Sequence, residues 1–296
     1  MLTQFAFLKK LSPVSFFIWT FLLIAPPGTI YDQAPGEINA AYYDKVQKVL
    51  EYKDVFELLH PFIQNTHPIA IAEEGYFYVF DLDEGGEAYG LKAWEETGMY
   101  VPQGVRAAFS LPFYENRCAC VVSGDAFDSI EGYIMIFHEF IHCHQWNTVE
   151  PGLRAELPLA VRMTEEENFM WEIEYPFPYD DEWFVRTYAA FVDAFERGEP
   201  DEALWLRHEL QNRLKSEDFQ YMVWQEWKEG FALYIENLLR KEMGLERNMV
   251  GRSFPFSRTV FYAGGEAYIR HLIDKNPVLN EDIEALFVEM YYIDNR

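Results

Sequence analysis

The sequence predicts an α+β fold in which an N-terminal α/β lobe leads into a mainly helical C-terminal lobe, and three observations carry that expectation. Strand-like runs rich in β-branched and aromatic residues are confined to positions 70–122. After Pro151, apolar residues recur almost only at helical spacing. Between these two regions a single apolar helix is expected from about Ser129 to Trp146, with histidines and a glutamate in its middle.

Taken in order, the chain opens with Lys9-Lys10 and an apolar stretch from Val14 to Ala25, ended by Pro26-Pro27-Gly28. This has the charge and length of a signal-peptide core and is short for a transmembrane helix. Pro26 and Pro35 follow the candidate alanines directly, so a cleaved signal and an uncleaved anchor are both open over residues 1–30. Export or membrane attachment is the expectation, with a cytoplasmic protein whose N-terminus packs on the domain as the alternative. Residues 31–148 are assigned to the α/β lobe and 149–296 to the helical lobe.

Ile38, Ala41, Tyr42, Val46, Val49 and Leu50 predict a helix over 37–59. Ala70 to Leu82, with Tyr76-Phe77-Tyr78-Val79-Phe80, reads as strand ended by the turn Asp83-Glu84-Gly85-Gly86. Val105–Leu111 and Arg117–Val122 read as two further strands. Asp128 followed three residues later by Glu131 reads as a capping box opening the next helix. Beyond Pro151, helices are expected over 153–175, 182–197, 201–214, 217–243, 265–274 and 281–291.

The chemistry is concentrated in His138-Glu139-Phe140-Ile141-His142. Helical residues are turned by about 100° each, so His138 and His142 lie about 40° apart on one face and both imidazoles can reach one metal ion. Glu139 stands beside that face as a candidate general base. Ile130, Ile134, Phe137, Phe140 and Ile141 place the motif mid-helix in an apolar wall, which disfavours competing water.

Catalytic zinc commonly keeps three protein ligands and a fourth, open position. The extension HExxHxxGxxH fails here at both the glycine and the last histidine, and His144 points to another face of the helix. A glutamate further along is the natural third ligand. The best placed is in Trp224-Gln-Glu-Trp227-Lys-Glu229-Gly230-Phe-Ala232-Leu-Tyr234, on a helix stopped by Gly244. A mid-helix glycine costs about 1 kcal/mol relative to alanine, so Gly230 marks a place where another helix comes close.

At these residues the chain resembles the gluzincin-type zinc metallopeptidases, whose HExxH helix (often HExxHxxQ, here ending at Gln145) is followed downstream by a W-x-x-E-G-x-A-x-Y helix. The resemblance spans two helices and the residues between them, not the N-terminal third. It implies a zincin-like fold with a metal cleft between the lobes and a Zn2+ site of His138, His142 and Glu229, with Glu139 as general base. It also implies a peptide or protein substrate. Arg117–Val122 would be the sheet-edge strand that pairs with extended substrate. Tyr262, in the Tyr-rich segment Arg258–His271, would stabilise the oxyanion, with Tyr268 and His271 as alternatives. One departure stands out: Leu233 occupies the position where thermolysin-like relatives carry a carboxylate that orients a ligand histidine. Glu165-Glu166-Glu167 or Glu172 could supply that partner, and the cluster and Glu226 are rivals of Glu229 for the metal.

The 296 residues carry a formal charge of −25, which repels phosphate backbones and excludes nucleic acid as a partner. Half of the residues are hydrophobic and 18% aromatic, enough for a sizeable core. Cys118, Cys120 and Cys143 are too few for a disulfide scaffold and read as core thiols. Two other functions fit the same motif: a zinc hydrolase of a non-peptide amide or ester, and a peptidase-like binding protein without turnover.

Overall fold

The computed structural model describes residues 35–98 and 100–292; the expected signal or anchor over 1–30 lies outside them. The fold is α+β, with one five-stranded sheet and ten α-helices among the described residues. The chain divides into two compact units. Among the described residues, one comprises 35–52 with Thr66–Cys143, and the other Lys53–Asn65 with 144–292.

In the first unit, α1 (Pro35–Phe56) buries Ile38, Tyr42, Val46 and Val49 of the stripe that its helical spacing predicts, while Leu50 is half-buried and Ala41 exposed. The stretch expected as one strand is a hairpin: β1 (Ile69–Glu73) and β2 (Tyr76–Leu82) pair antiparallel with Glu73 opposite Tyr76. Glu74 at φ 48° and Gly75 at φ 85° form the two-residue turn, since both central residues of a turn matched to strand twist need positive φ. The Asp83–Gly86 turn follows as expected, with the Gly86 amide donating to the Asp83 carbonyl at 3.0 Å.

After it comes β3 (Tyr89–Glu96), a strand not expected from its polar sequence, because it lies at the edge and leaves most of its residues partly or fully exposed. β4 (Arg106–Leu111) and β5 (Arg117–Ser123) complete the order β3-β2-β1-β5-β4, with β1 and β5 parallel and every other pair antiparallel. The expected edge role of Arg117–Val122 is therefore corrected. β5 is interior, hydrogen-bonded to β1 on one side and β4 on the other, and the edge strand on that side is β4.

Side chains alternate across β5. Ala119 and Val121 join Phe77 and Val79 in one apolar cluster, while Cys118 turns to the other face and meets Cys143 of α2 (Ile130–Thr148). The start of α2 also differs from the expected capping box. Ser129 Oγ accepts the Gly132 amide at 3.1 Å, so Ser129 caps the helix. Asp128 is used one step earlier, its amide closing the 3-10 turn Gly124–Phe127 onto the Asp125 carbonyl.

The second unit is helical. The helix expected over 153–175 is three pieces, α3 (Glu150–Glu156), α4 (Pro158–Glu165) and α5 (Trp171–Glu174). Pro158 disfavours helical backbone at Leu157, and Glu167 turns the chain at φ 55°. Then follow α6 (Glu182–Glu196), α7 (Pro200–Arg213), α8 (Ser216–Glu242), α9 (Val260–Lys275) and α10 (Ile283–Tyr291). α8 is the axis of this unit, packed against α4, α7, α9 and α10, and Trp224 and Trp227 on it are fully buried. Gly244 at φ 68° ends it where the sequence predicts. Among the described residues no helix is long and apolar enough to cross a membrane.

Candidate metal centre

α2 sets the first two candidate ligands. Ile134, Phe137, Phe140, Ile141 and Cys143 are buried, so the helix is enclosed over the length of the motif. The rings of His138 and His142 face one another with centroids 5.0 Å apart and planes at 76°, the arrangement that one helical turn of separation produces. Both are buried, as is Glu139. Burial first, and the Glu139 carboxylate second, push the Cys120 thiol well above its usual range; Glu139 also adds to the rise at Cys143.

Glu229 lies on α8 beside Gly230. A Cβ on Gly230 would come within 2.6 Å of Gly265 main-chain atoms, and one on Gly265 would strike the Glu226 carbonyl. The two glycines thus seat α8 against α9 at backbone contact, the close approach that the sequence predicts. One ligand atom from each of His138, His142 and Glu229 lies within 4.8 Å of the others, and all three residues are buried. Among the described residues no other trio of His, Cys, Asp or Glu has that reach. Two imidazole nitrogens and a carboxylate oxygen are a donor set that could hold a metal ion.

What holds Glu229 is a residue that sequence reasoning did not assign. Arg258 donates from Nη1 to Glu229 Oε1 at 2.8 Å and to Gln225 Oε1 at 3.2 Å. Gln225 in turn donates from Nε2 to the Glu172 carbonyl at 2.8 Å. Burial pulls the guanidinium pKa down, but the Glu229 carboxylate with Tyr262 and Tyr221 together outweigh it, so Arg258 keeps its charge. The same guanidinium lies 5.6 Å from the ring centre of Tyr262, in the first turn of α9. Arg258 therefore links the proposed third ligand to the candidate oxyanion donor. The signal was present as an arginine four residues before that tyrosine, but only the return of the 244–259 loop brings it to Glu229.

The rivals are placed elsewhere. Glu165, Glu166 and Glu167 are exposed, and Arg162 pairs with Glu166 at 3.0 Å, the reading of a solvated charge run. Glu226 is fully buried but accepts from Tyr188 Oη at 2.7 Å and pairs with Arg207. Tyr268 packs its ring 4.9 Å from the Arg207 guanidinium, and His271 lies against Phe195 at 5.1 Å. His144 rests on Phe62 with ring centres 4.0 Å apart, and burial lowers its pKa.

Glu172 lies in a buried ion network instead. It pairs with Arg154 and, at 2.9 Å, with Lys228, while Glu150 pairs with the same two cations at 2.8 and 3.2 Å. Burial opposes the charge on Glu172, but Arg154 and Lys228 hold its carboxyl below the usual range. Lys228 precedes Glu229, and its carbonyl accepts from Gln145 Nε2 at 3.2 Å. Gln145, three residues past His142, thus ties the end of α2 to the segment of α8 that carries Glu229.

Comparison with protein-family models, with curated proteins and with solved structures finds no match to the chain.

Proposed function

We propose that this chain is a zinc-dependent metallopeptidase of gluzincin type with a zincin-like fold, in which His138, His142 and Glu229 hold the ion. The observation that carries the reading is the buried convergence of these three side chains with Glu139 on the next position of the same helix. Convergence of three suitable donors separates this reading from a chance pentapeptide, which would need no carboxylate from a distant helix.

When bound, the ion supplies Lewis-acid polarisation of a carbonyl and lowers the pKa of a water toward neutrality. The residues of the chain do the proton work. Glu139 accepts a proton from the attacking water and delivers it to the leaving amine nitrogen. Tyr262 donates its hydroxyl to the oxygen that gains negative charge as the carbonyl becomes tetrahedral. Arg258 holds one oxygen of Glu229 and so orients the carboxylate. A peptide is the favoured substrate because β4 offers an outer edge whose main-chain groups can pair with an extended chain. A non-peptide amide or ester would use the same four residues.

A peptidase-like binding protein without turnover is the second reading. The Arg258–Glu229 ion pair favours it, since a buried carboxylate neutralised by arginine needs no metal. Elemental analysis beside a peptide-cleavage assay decides between them. The peptidase reading predicts about one zinc per chain in the parent and in Glu139→Gln, with cleavage by the parent alone. His138→Ala and Glu229→Ala lose zinc. Full metal retention in Glu229→Ala, or none in the parent, overturns it.

A further inference from the structure

We propose that Cys118 and Cys143 are a disulfide site, a thiol pair that oxidises to fasten β5 to α2 immediately after His142. The two Sγ atoms are 3.1 Å apart, approaching from a strand and from a helix rather than along one strand. Closing a bridge requires roughly 1 Å of further approach, since a disulfide bond is about 2.05 Å long. The alternative partner is poorly placed: Cys118 and Cys120 are two residues apart on β5, about 6.6 Å along the strand with side chains pointing the same way, at the limit of what a bridge spans. The three thiols do not form a metal group either, for among the described residues the only trio with metal-binding reach is His138, His142 and Glu229.

All three thiols are buried, Cys118 at 3% and the other two at 0% exposure. Disulfide exchange proceeds through an exposed thiolate, so the bridge closes when the unit folds or opens locally, not by attack on the closed molecule. The co-reactant is a small disulfide of the glutathione class. One cysteine thiolate attacks it, breaking its S–S bond, forming a mixed disulfide and releasing one small thiol. The second cysteine, having lost its proton, displaces the other small thiol as the Cys118–Cys143 bond forms. The pair is oxidised by two electrons, the small disulfide is reduced to two thiols, and Cys120 takes no part. None of this rests on the metal reading, since it concerns sulfur contacts alone.

The test uses the full chain, incubated with oxidised glutathione in sub-denaturing urea to allow opening, then quenched with acid, denatured and alkylated. Reduced protein carries three free thiols. The proposal predicts a fall to one thiol per chain, a cross-linked pair of peptides containing Cys118 and Cys143, and alkylation at Cys120. Cys120→Ser should still cross-link, and Cys118→Ser should not. Three alkylated cysteines after this treatment, a bridge that includes Cys120, or arrest as a glutathione adduct overturns the proposal.

Discussion

Arg258 Nη1 donates to Glu229 Oε1 at 2.8 Å, so the carboxylate proposed as third ligand is already oriented by a charged donor on a neighbouring segment. Groups that orient a metal ligand typically change affinity 10- to 100-fold when removed. Arg258→Ala is expected to weaken zinc binding by about that factor, measured by competition with a chromophoric chelator, while circular dichroism stays unchanged. Tighter binding in the variant would identify Arg258 as the metal's competitor and favour the binding-protein reading.

The contact between Gly230 and Gly265 gives a prediction whose sign opposes intrinsic propensity. Alanine is favoured over glycine in a helix by about 1 kcal/mol, yet its methyl group at either position meets main-chain atoms of the other helix. Overpacking of this kind typically costs 1–3 kcal/mol. Gly265→Ala is therefore expected to lower unfolding stability by about 2 kcal/mol in urea titrations; a gain would mean that α8 and α9 do not meet there.

His60 makes stability depend on mild acid. It is buried, donates from Nε2 to the Asn280 carbonyl at 2.9 Å and accepts the Phe62 amide at Nδ1, so the folded state needs it neutral. Burial lowers its pKa to about 4. The unfolded chain takes up this proton near pH 6.5 and the folded chain only near 4, so the unfolded state binds more protons in that window. Stability contributed by His60 is present above about pH 6.5 and falls as pH drops toward 4, by roughly 3 kcal/mol at most. Urea midpoints of parent and His60→Gln across that range check this, the variant showing the shallower fall.

The ion network beside Glu229 is expected to fail when one charge is removed. Glu150 and Glu172 are buried and share Arg154 and Lys228, and Arg154 also lies 5.3 Å from the centre of the Trp224 ring. Removing one partner of a buried pair costs about 3–5 kcal/mol because a charge is left uncompensated. Arg154→Met should therefore show that loss in chemical denaturation, and the additional mutation Glu172→Gln should restore part of it.

Much of this was legible in the sequence, and the misses share a physical origin. α2 and α8 announce themselves through helical periodicity, α8 also through its terminating Gly244, and Glu229 through its neighbour Gly230. Those signals are local. The hairpin at Glu74-Gly75 was missed although Glu73-Glu74-Gly75 interrupts the apolar residues of β1 and β2, because the flanking runs are both apolar and strand-like and only the positive φ of Glu74 and Gly75 marks the turn. β3 was hidden for the opposite reason, being polar at an edge. The interior place of β5 depends on which strands pair, which no local pattern records. Arg258 was missed because its role exists only once a loop returns to α8.

The bond from Gln145 to the Lys228 carbonyl has a consequence for how the last turn of α2 is held. A helical carbonyl uses one lone pair within its own ladder and keeps a second. Gln145 can occupy that spare valence, so the tether is added without subtracting any rung from α8. Loss of the amide by substitution would then release the joint while leaving both rods intact.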